Sequence, residues 1–75
     1  MELEQLHALL EETTQSLPGT LTAETDLTLL DGWDSMGIVL FIDTVTARVG
    51  VELAVHELRG CTYSPDVLEL IRRGL

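Results

Sequence analysis

Asp34 and Gly50 bracket the stretch that most narrows what this chain can fold into, SMGIVLFIDTVTARV. Aspartate before such a run makes a good helix N-cap, because its carboxylate can accept a free amide hydrogen of the first turn. Glycine after it makes a good C-terminal stop. Threonine and valine lower the intrinsic helix propensity of the run, so the prediction of a helix from Ser35 to Val49 rests on spacing and on these two end residues. At about 100° per residue, Ile38, Phe41, Ile42, Val45 and Val49 form one apolar stripe, with Gly37, Thr44 and Arg48 placed on the opposite side. Such a helix needs neighbours to cover its stripe.

Met36, Val39 and Leu40 do not join that stripe. They cluster on a flank near the helix start, beside Ser35. Two arrangements account for them. Either the preceding loop folds over them and they are core, or they form an exposed apolar patch that a partner protein covers. Methionine suits such a patch because it adapts to different surfaces.

Three further segments have helical spacing. In the first, Leu3, Leu6, Leu10, Thr13 and Leu17 recur along one face, and Pro18-Gly19 is the expected end. A short segment spans about Val55 to Arg59 and stops at Gly60. The last opens on Ser64-Pro65, serine as N-cap and proline at the first helical position, with Val67, Leu68, Ile71 and Leu75 as its apolar face. Arg72 and Arg73 lie at its C-terminal end, where cations are favoured. Residues 20–34 form a long connection; the leucines at 21, 27, 29 and 30 suggest that it is pinned to the core, with room for a helical turn. The expected architecture is all-α, a four-helix bundle with a long first loop and a short third helix, built as a single domain over residues 1–75.

Seventy-five residues give a thin core, since a chain of this size buries only roughly 60% of its unfolded surface. There is no room for a separate catalytic domain with its own cleft. The formal net charge of −9, with no lysine and four arginines (Arg48, Arg59, Arg72 and Arg73), argues against nucleic acid and against an anionic membrane as partners. It favours solubility and attraction to basic protein surfaces. The one cysteine, Cys61, excludes an intrachain disulfide and gives no sign of an oxidising compartment. The acidic opening MELEQLHALLEE lacks the features of a secretory leader, and the longest apolar run, Ile38 to Ile42, is far too short to span a bilayer. A cytoplasmic monomer is the expectation.

Ser35 is the residue whose chemistry needs a decision. A serine hydroxyl is a weak nucleophile without a positioned base, and the two histidines, His7 and His56, lie on other segments. A hydrolase built from Asp34, Ser35 and His56 would lack a cleft, so no catalytic residues are expected. Ser35 could be a plain helix-start residue, or it could be modified by an outside enzyme, with an attached phosphate group favoured at a helix N-terminus. Cys61 is expected to be a small buried residue rather than a reactive thiol, and His56 a surface or helix-start residue. No spacing among the histidines, Cys61 and the acids suggests a metal site.

Asp34-Ser35-Met36 resembles the Asp-Ser-Leu signature of acyl and peptidyl carrier proteins, with methionine for leucine. The surrounding GWDSMGIVLFIDTVTARVGVEL is similar to that family's second helix and its exit, and ELRGCTYSPDVLELI to its short third and final helices. The resemblance implies that Ser35 carries a covalent 4'-phosphopantetheine arm, added from coenzyme A by a magnesium-dependent phosphopantetheinyl transferase. Asp34 would help that transferase recognise the site. The arm's thiol would hold acyl or aminoacyl groups as thioesters, with the chain itself catalysing nothing. Partners would be an acyl- or aminoacyl-loading enzyme and downstream synthase or transferase enzymes, met through Met36, Val39, Leu40 and Trp33. Trp33 has two further candidate roles, contact with the arm and anchoring of the loop, of which the loop anchor is favoured.

There are departures from the fatty-acid-synthesis carriers. The interior of the central helix holds Asp43 as its only acid, and Leu40 stands where those carriers tend to place one. The acids here lie in the first helix and at Glu24, Asp26, Asp31 and Asp34. WDSMG is more similar to discrete carriers of bacterial polyketide or nonribosomal-peptide metabolism, and also to D-alanyl carriers. The alternative from another class is an unmodified helical adaptor that binds proteins through the Met36-Val39-Leu40 patch.

Overall fold

A computed structural model describes all residues, 1–75. It has four helices and no strand: α1 (Leu3–Thr14), α2 (Ser35–Val49), α3 (Val55–Arg59) and α4 (Ser64–Arg73), with one 3-10 turn, Leu27–Leu29, in the long first loop. α1 packs on both α2 and α4, and α3 packs on α2. Fifteen buried apolar residues form one core, drawn from every helix and from the loop. No helix is long and apolar enough to cross a membrane. The small helical bundle expected from the sequence is therefore what forms.

α1 starts with the Glu2 amide donating to the Gln5 side-chain oxygen at 2.8 Å. It ends at Thr14, earlier than Pro18-Gly19 suggests. Gln15 takes a left-handed conformation (φ 59°) and its N–H returns to the Glu11 carbonyl. Thr14 donates its hydroxyl to the Leu10 carbonyl at 2.7 Å. The chain thus turns away before Leu17, which is 75% exposed and is not part of the core face.

Glu11 shows why the loop crosses here. It is buried, 7% exposed, and its carboxylate accepts the Leu21 amide at 3.0 Å. That bond, with help from the Gly19 amide, holds its pKa below the ordinary carboxylate value and outweighs the opposing effect of burial. Farther along, the Leu27 amide donates to the Thr62 carbonyl at 2.8 Å, joining the loop to the α3–α4 connection. Leu21, Leu27 and Trp33 are buried and hold the loop to the core. Leu29 does not: it is 79% exposed, because the 3-10 turn points it outward while Leu27 points in.

α2 has the predicted bounds and ends. The Asp34 side chain accepts from the Gly37 amide at 2.9 Å, and Gly50 closes the helix at φ 79°, a conformation glycine adopts without a Cβ penalty. Ile38, Phe41 and Val45 are fully in the core, with Ile42 and Val49 half-buried. Gly37, Thr44 and Arg48 are not opposite the stripe. They lie roughly a quarter-turn from it, on a side that meets other segments: Arg48 pairs with Glu12 of α1 at 3.3 Å, and Gly37 is buried.

α3 starts where the sequence places it, and α4 starts one residue earlier than a Ser64 cap would give, with Tyr63 at the N-cap and Ser64 as its first residue. Glu57 returns its carboxylate to the Ala54 amide at 3.2 Å, and Leu58 is fully buried. At the head of α4 the Asp66 carboxylate accepts the Tyr63 amide at 3.1 Å. Ser64 makes no capping bond; its buried hydroxyl pairs instead with His7 Nε2 at 2.6 Å, linking α4 to α1. Leu75 lies beyond the end of α4 and is 70% exposed, so it does not extend the apolar face.

Candidate functional site

Two glycines set the position of Asp34 and Ser35. The loop backbone at Gly32 runs hard against the last turn of α1 and the first turn of α2. A Cβ on Gly32 would overlap the Thr14 backbone, and a Cβ on Gly37 would overlap the Gly32 carbonyl oxygen. Trp33, one residue on, turns into the core and meets Phe41 edge-to-face, with ring centroids 5.6 Å apart. The chain then emerges at Asp34, which caps α2, so Ser35 is delivered at the helix start by a loop fixed on both sides.

Ser35 is exposed. Its Oγ accepts a hydrogen bond from Nη2 of Arg59 at 2.6 Å. A shallow hollow of about 280 Å³ opens beside it, lined by Thr28, Trp33, Asp34, Ser35, Ile38 and Arg59. A guanidinium stays protonated in proteins, so the group bonded to Ser35 is a donor and a positive charge, never a base. Neither histidine bonds Ser35: His7 is committed to Ser64, and His56 is exposed on α3. The arrangement leaves the hydroxyl open to a reagent brought from outside.

Met36 is 81% exposed, Val39 48% and Leu40 49%. The loop packs its Gly32 carbonyl against Gly37 and leaves them uncovered. Of the two arrangements open to these residues, the exposed patch is the one that forms. Met36 and Leu40 border a second hollow of about 210 Å³ that also touches Thr13, Thr14, Gln15 and Gly32. Trp33 is buried, only 8% exposed, so of its expected roles the loop anchor is the one that forms and it is not part of the partner surface. Its large apolar ring gains more from packing on Phe41 than a loop surface would give it, so it is an anchor of the loop and contributes one wall of the hollow beside Ser35.

Cys61 is buried and donates to the Glu57 carbonyl at 3.5 Å. Burial, with Asp66 and Glu57 nearby, pushes its pKa up, so little thiolate is present near neutral pH. No group of three or more histidine, cysteine, aspartate or glutamate residues is arranged to hold a metal ion.

Three participants were not visible as such in the sequence. Arg59 is the chief one; its signal was its rarity, one of four cations in a chain of thirteen acids. Gly32 and Gly37 are the others, signalled only by their spacing on either side of Asp34-Ser35. Comparison with protein-family models, characterised proteins and solved structures gives no match.

Proposed function

We propose that this chain is a carrier domain. Ser35 receives a 4'-phosphopantetheine arm, and other enzymes load, modify and unload what the arm holds. The observation that carries this reading is the exposed Ser35 hydroxyl at the capped start of α2, directly after Asp34 and directly before an exposed apolar patch. The residues present fit the arm: the hydroxyl is accessible, a hollow lies beside it, and Arg59 already donates to Oγ. In attachment, Ser35 Oγ forms a bond to a phosphorus of coenzyme A. The bond from that phosphorus to the adenosine bisphosphate portion breaks, and the hydroxyl proton passes to a base of a magnesium-dependent transferase. Once bound, the arm supplies a terminal thiol that holds acyl or aminoacyl groups as thioesters.

Asp34 serves this reading twice, by fixing the first turn of α2 and by marking the site for the transferase. Met36, Val39 and Leu40 are the contact surface for that transferase and for loading and downstream enzymes. The apolar character of the patch, with Asp43 as the sole acid inside α2, supports partners that bind by apolar contact. It favours specialised metabolism of the polyketide or nonribosomal-peptide kind, or a D-alanyl carrier role, over housekeeping fatty-acid synthesis. The proposed setting is cytoplasmic, where coenzyme A and such transferases meet.

The same exposed patch also supports a second reading, an adaptor that binds proteins and is never modified. Incubation with coenzyme A, magnesium and a promiscuous phosphopantetheinyl transferase separates the two by intact mass. A carrier gains one arm and Ser35→Ala gains none. An unchanged mass for both forms leaves the adaptor.

A further inference from the structure

Arginine is scarce in this chain, and its pairings are uneven. Arg48 bonds Glu12 at 3.3 Å and Arg73 bonds Glu69 at 3.4 Å. Arg59 and Arg72 pair with none of the thirteen acids, and of these two only Arg59 makes a side-chain hydrogen bond. Its guanidinium donates instead to the neutral hydroxyl of Ser35 at 2.6 Å, its only hydrogen bond. Asp34, directly before Ser35 and on the same hollow, has its Oδ1 on the Gly37 amide.

The placement is built rather than incidental. α3 is only five residues long, and Leu58 fixes it to the core with a fully buried side chain. The next residue, Arg59, therefore leaves a firm base and reaches across the hollow that Thr28, Trp33, Asp34 and Ile38 enclose with it. In a chain of net charge −9, this cation is held against a neutral hydroxyl and makes no direct ion pair, so its guanidinium is free to bond an anion that arrives there.

We infer that Arg59 is the anchor for the phosphodiester formed on Ser35, a positioning residue that fixes the root of the arm over the hollow between the first loop and α3. This rests on the carrier reading above. Esterification removes the hydroxyl proton and keeps Oγ, so it places phosphorus one bond, and the non-bridging phosphate oxygens two bonds, beyond the atom Arg59 already touches. The remaining N–H groups of the guanidinium can then bond those oxygens in the forked geometry that arginine forms with phosphate and lysine does not. Because the site is open, salt screens the contact.

The test uses the full chain with the arm attached from coenzyme A, alongside Arg59→Gln and Arg59→Lys, read by intact mass and by 31P NMR. All three gain the arm. The phosphodiester resonance of the unaltered chain differs in shift from that of Arg59→Gln and relaxes with the domain, whereas in Arg59→Gln it relaxes as a mobile group. Added salt moves the unaltered chain toward the Arg59→Gln position, and Arg59→Lys lies between because it keeps the charge without the fork. Amide spectra report the fold of each variant separately. Equal shift and relaxation in the unaltered chain and Arg59→Gln overturn the anchor and leave the carrier reading standing. No mass gain in the unaltered chain overturns both.

Discussion

Gly37→Ala sets two opposed effects against each other, and the structure decides between them. In an ordinary helix the change is favourable, because alanine exceeds glycine by about 0.8–1.0 kcal/mol per residue in a helix interior. Gly37 lies in the first turn of α2, so that gain is an upper limit. Against it stands the Gly32 carbonyl oxygen, which the new methyl would overlap. Overpacking of a well-filled site costs about 1–3 kcal/mol when side chains can shift. Here the obstacle is backbone, held on its far side by Thr14, so it has no rotamer to change and the cost lies toward the upper end. The net expectation is a loss of about 1–2 kcal/mol. At about 0.05–0.15 kcal/mol per residue, that is a large share of what holds a 75-residue chain together. Each kcal/mol lowers Tm by roughly 4–8 °C in a domain of this size. Urea and thermal unfolding of the two proteins measure it directly, with Ala47→Gly on the exposed face of α2 as a control for propensity alone. A Gly37→Ala protein as stable as the parent, or more so, would refute the claim that the two glycines lock the loop to the start of α2.

Other expectations follow from single contacts. Asp34→Ala removes the cap on the Gly37 amide and lowers stability by about 1 kcal/mol in urea unfolding, while Asp34→Asn, which keeps an acceptor, loses less. Glu11 has a lowered pKa in the folded chain, so its stabilising share is complete above its unfolded value near 4.5 and disappears as pH falls through the lower folded value. Glu11→Gln therefore costs about 1 kcal/mol at neutral pH and shows a shallower fall in urea midpoint below pH 4.5 than the parent; equal slopes count against the Glu11–Leu21 tie. Cys61, buried with a raised pKa, reacts with iodoacetamide far more slowly in the native chain than in urea, and comparable rates would show that the α3–α4 connection opens freely.

What could be read from the sequence, and what could not, divides along a physical line. The ends of α2 were legible because Asp34 and Gly50 act on their own local backbone, and Gly60 and Pro65 mark the end of α3 and the start of α4 in the same way, whereas Ser64 gives its hydroxyl to His7 instead of the cap. Apolar spacing was less reliable at the margins. Leu17, Leu29 and Leu75 fit a face or a run of leucines, yet all three are exposed, because Leu17 and Leu75 lie beyond the ends of their helices and the 3-10 turn faces Leu29 outward. The wheel also had no means of showing that Glu11 is inside. A carboxylate reads as surface until a loop brings amide hydrogens to it, and the amide that does so belongs to Leu21, ten positions on.

The same reasoning explains why half of the candidate site was visible and half was not. Asp34, Ser35 and Met36 are contiguous, so one segment carries the acceptor, the hydroxyl and the start of the patch. Arg59 is twenty-four positions from Ser35 and reaches it only because Leu58 fixes α3 on α2 and because the Leu27 amide bonds the Thr62 carbonyl, closing the loop against the α3–α4 connection. Trp33 was ambiguous for the complementary reason. An aromatic beside a functional serine serves a partner or the core, and the choice depends on whether a pocket exists on the inner side, which Phe41 supplies. Local backbone chemistry thus marks where a modification could occur, and long-range packing determines which charges attend it.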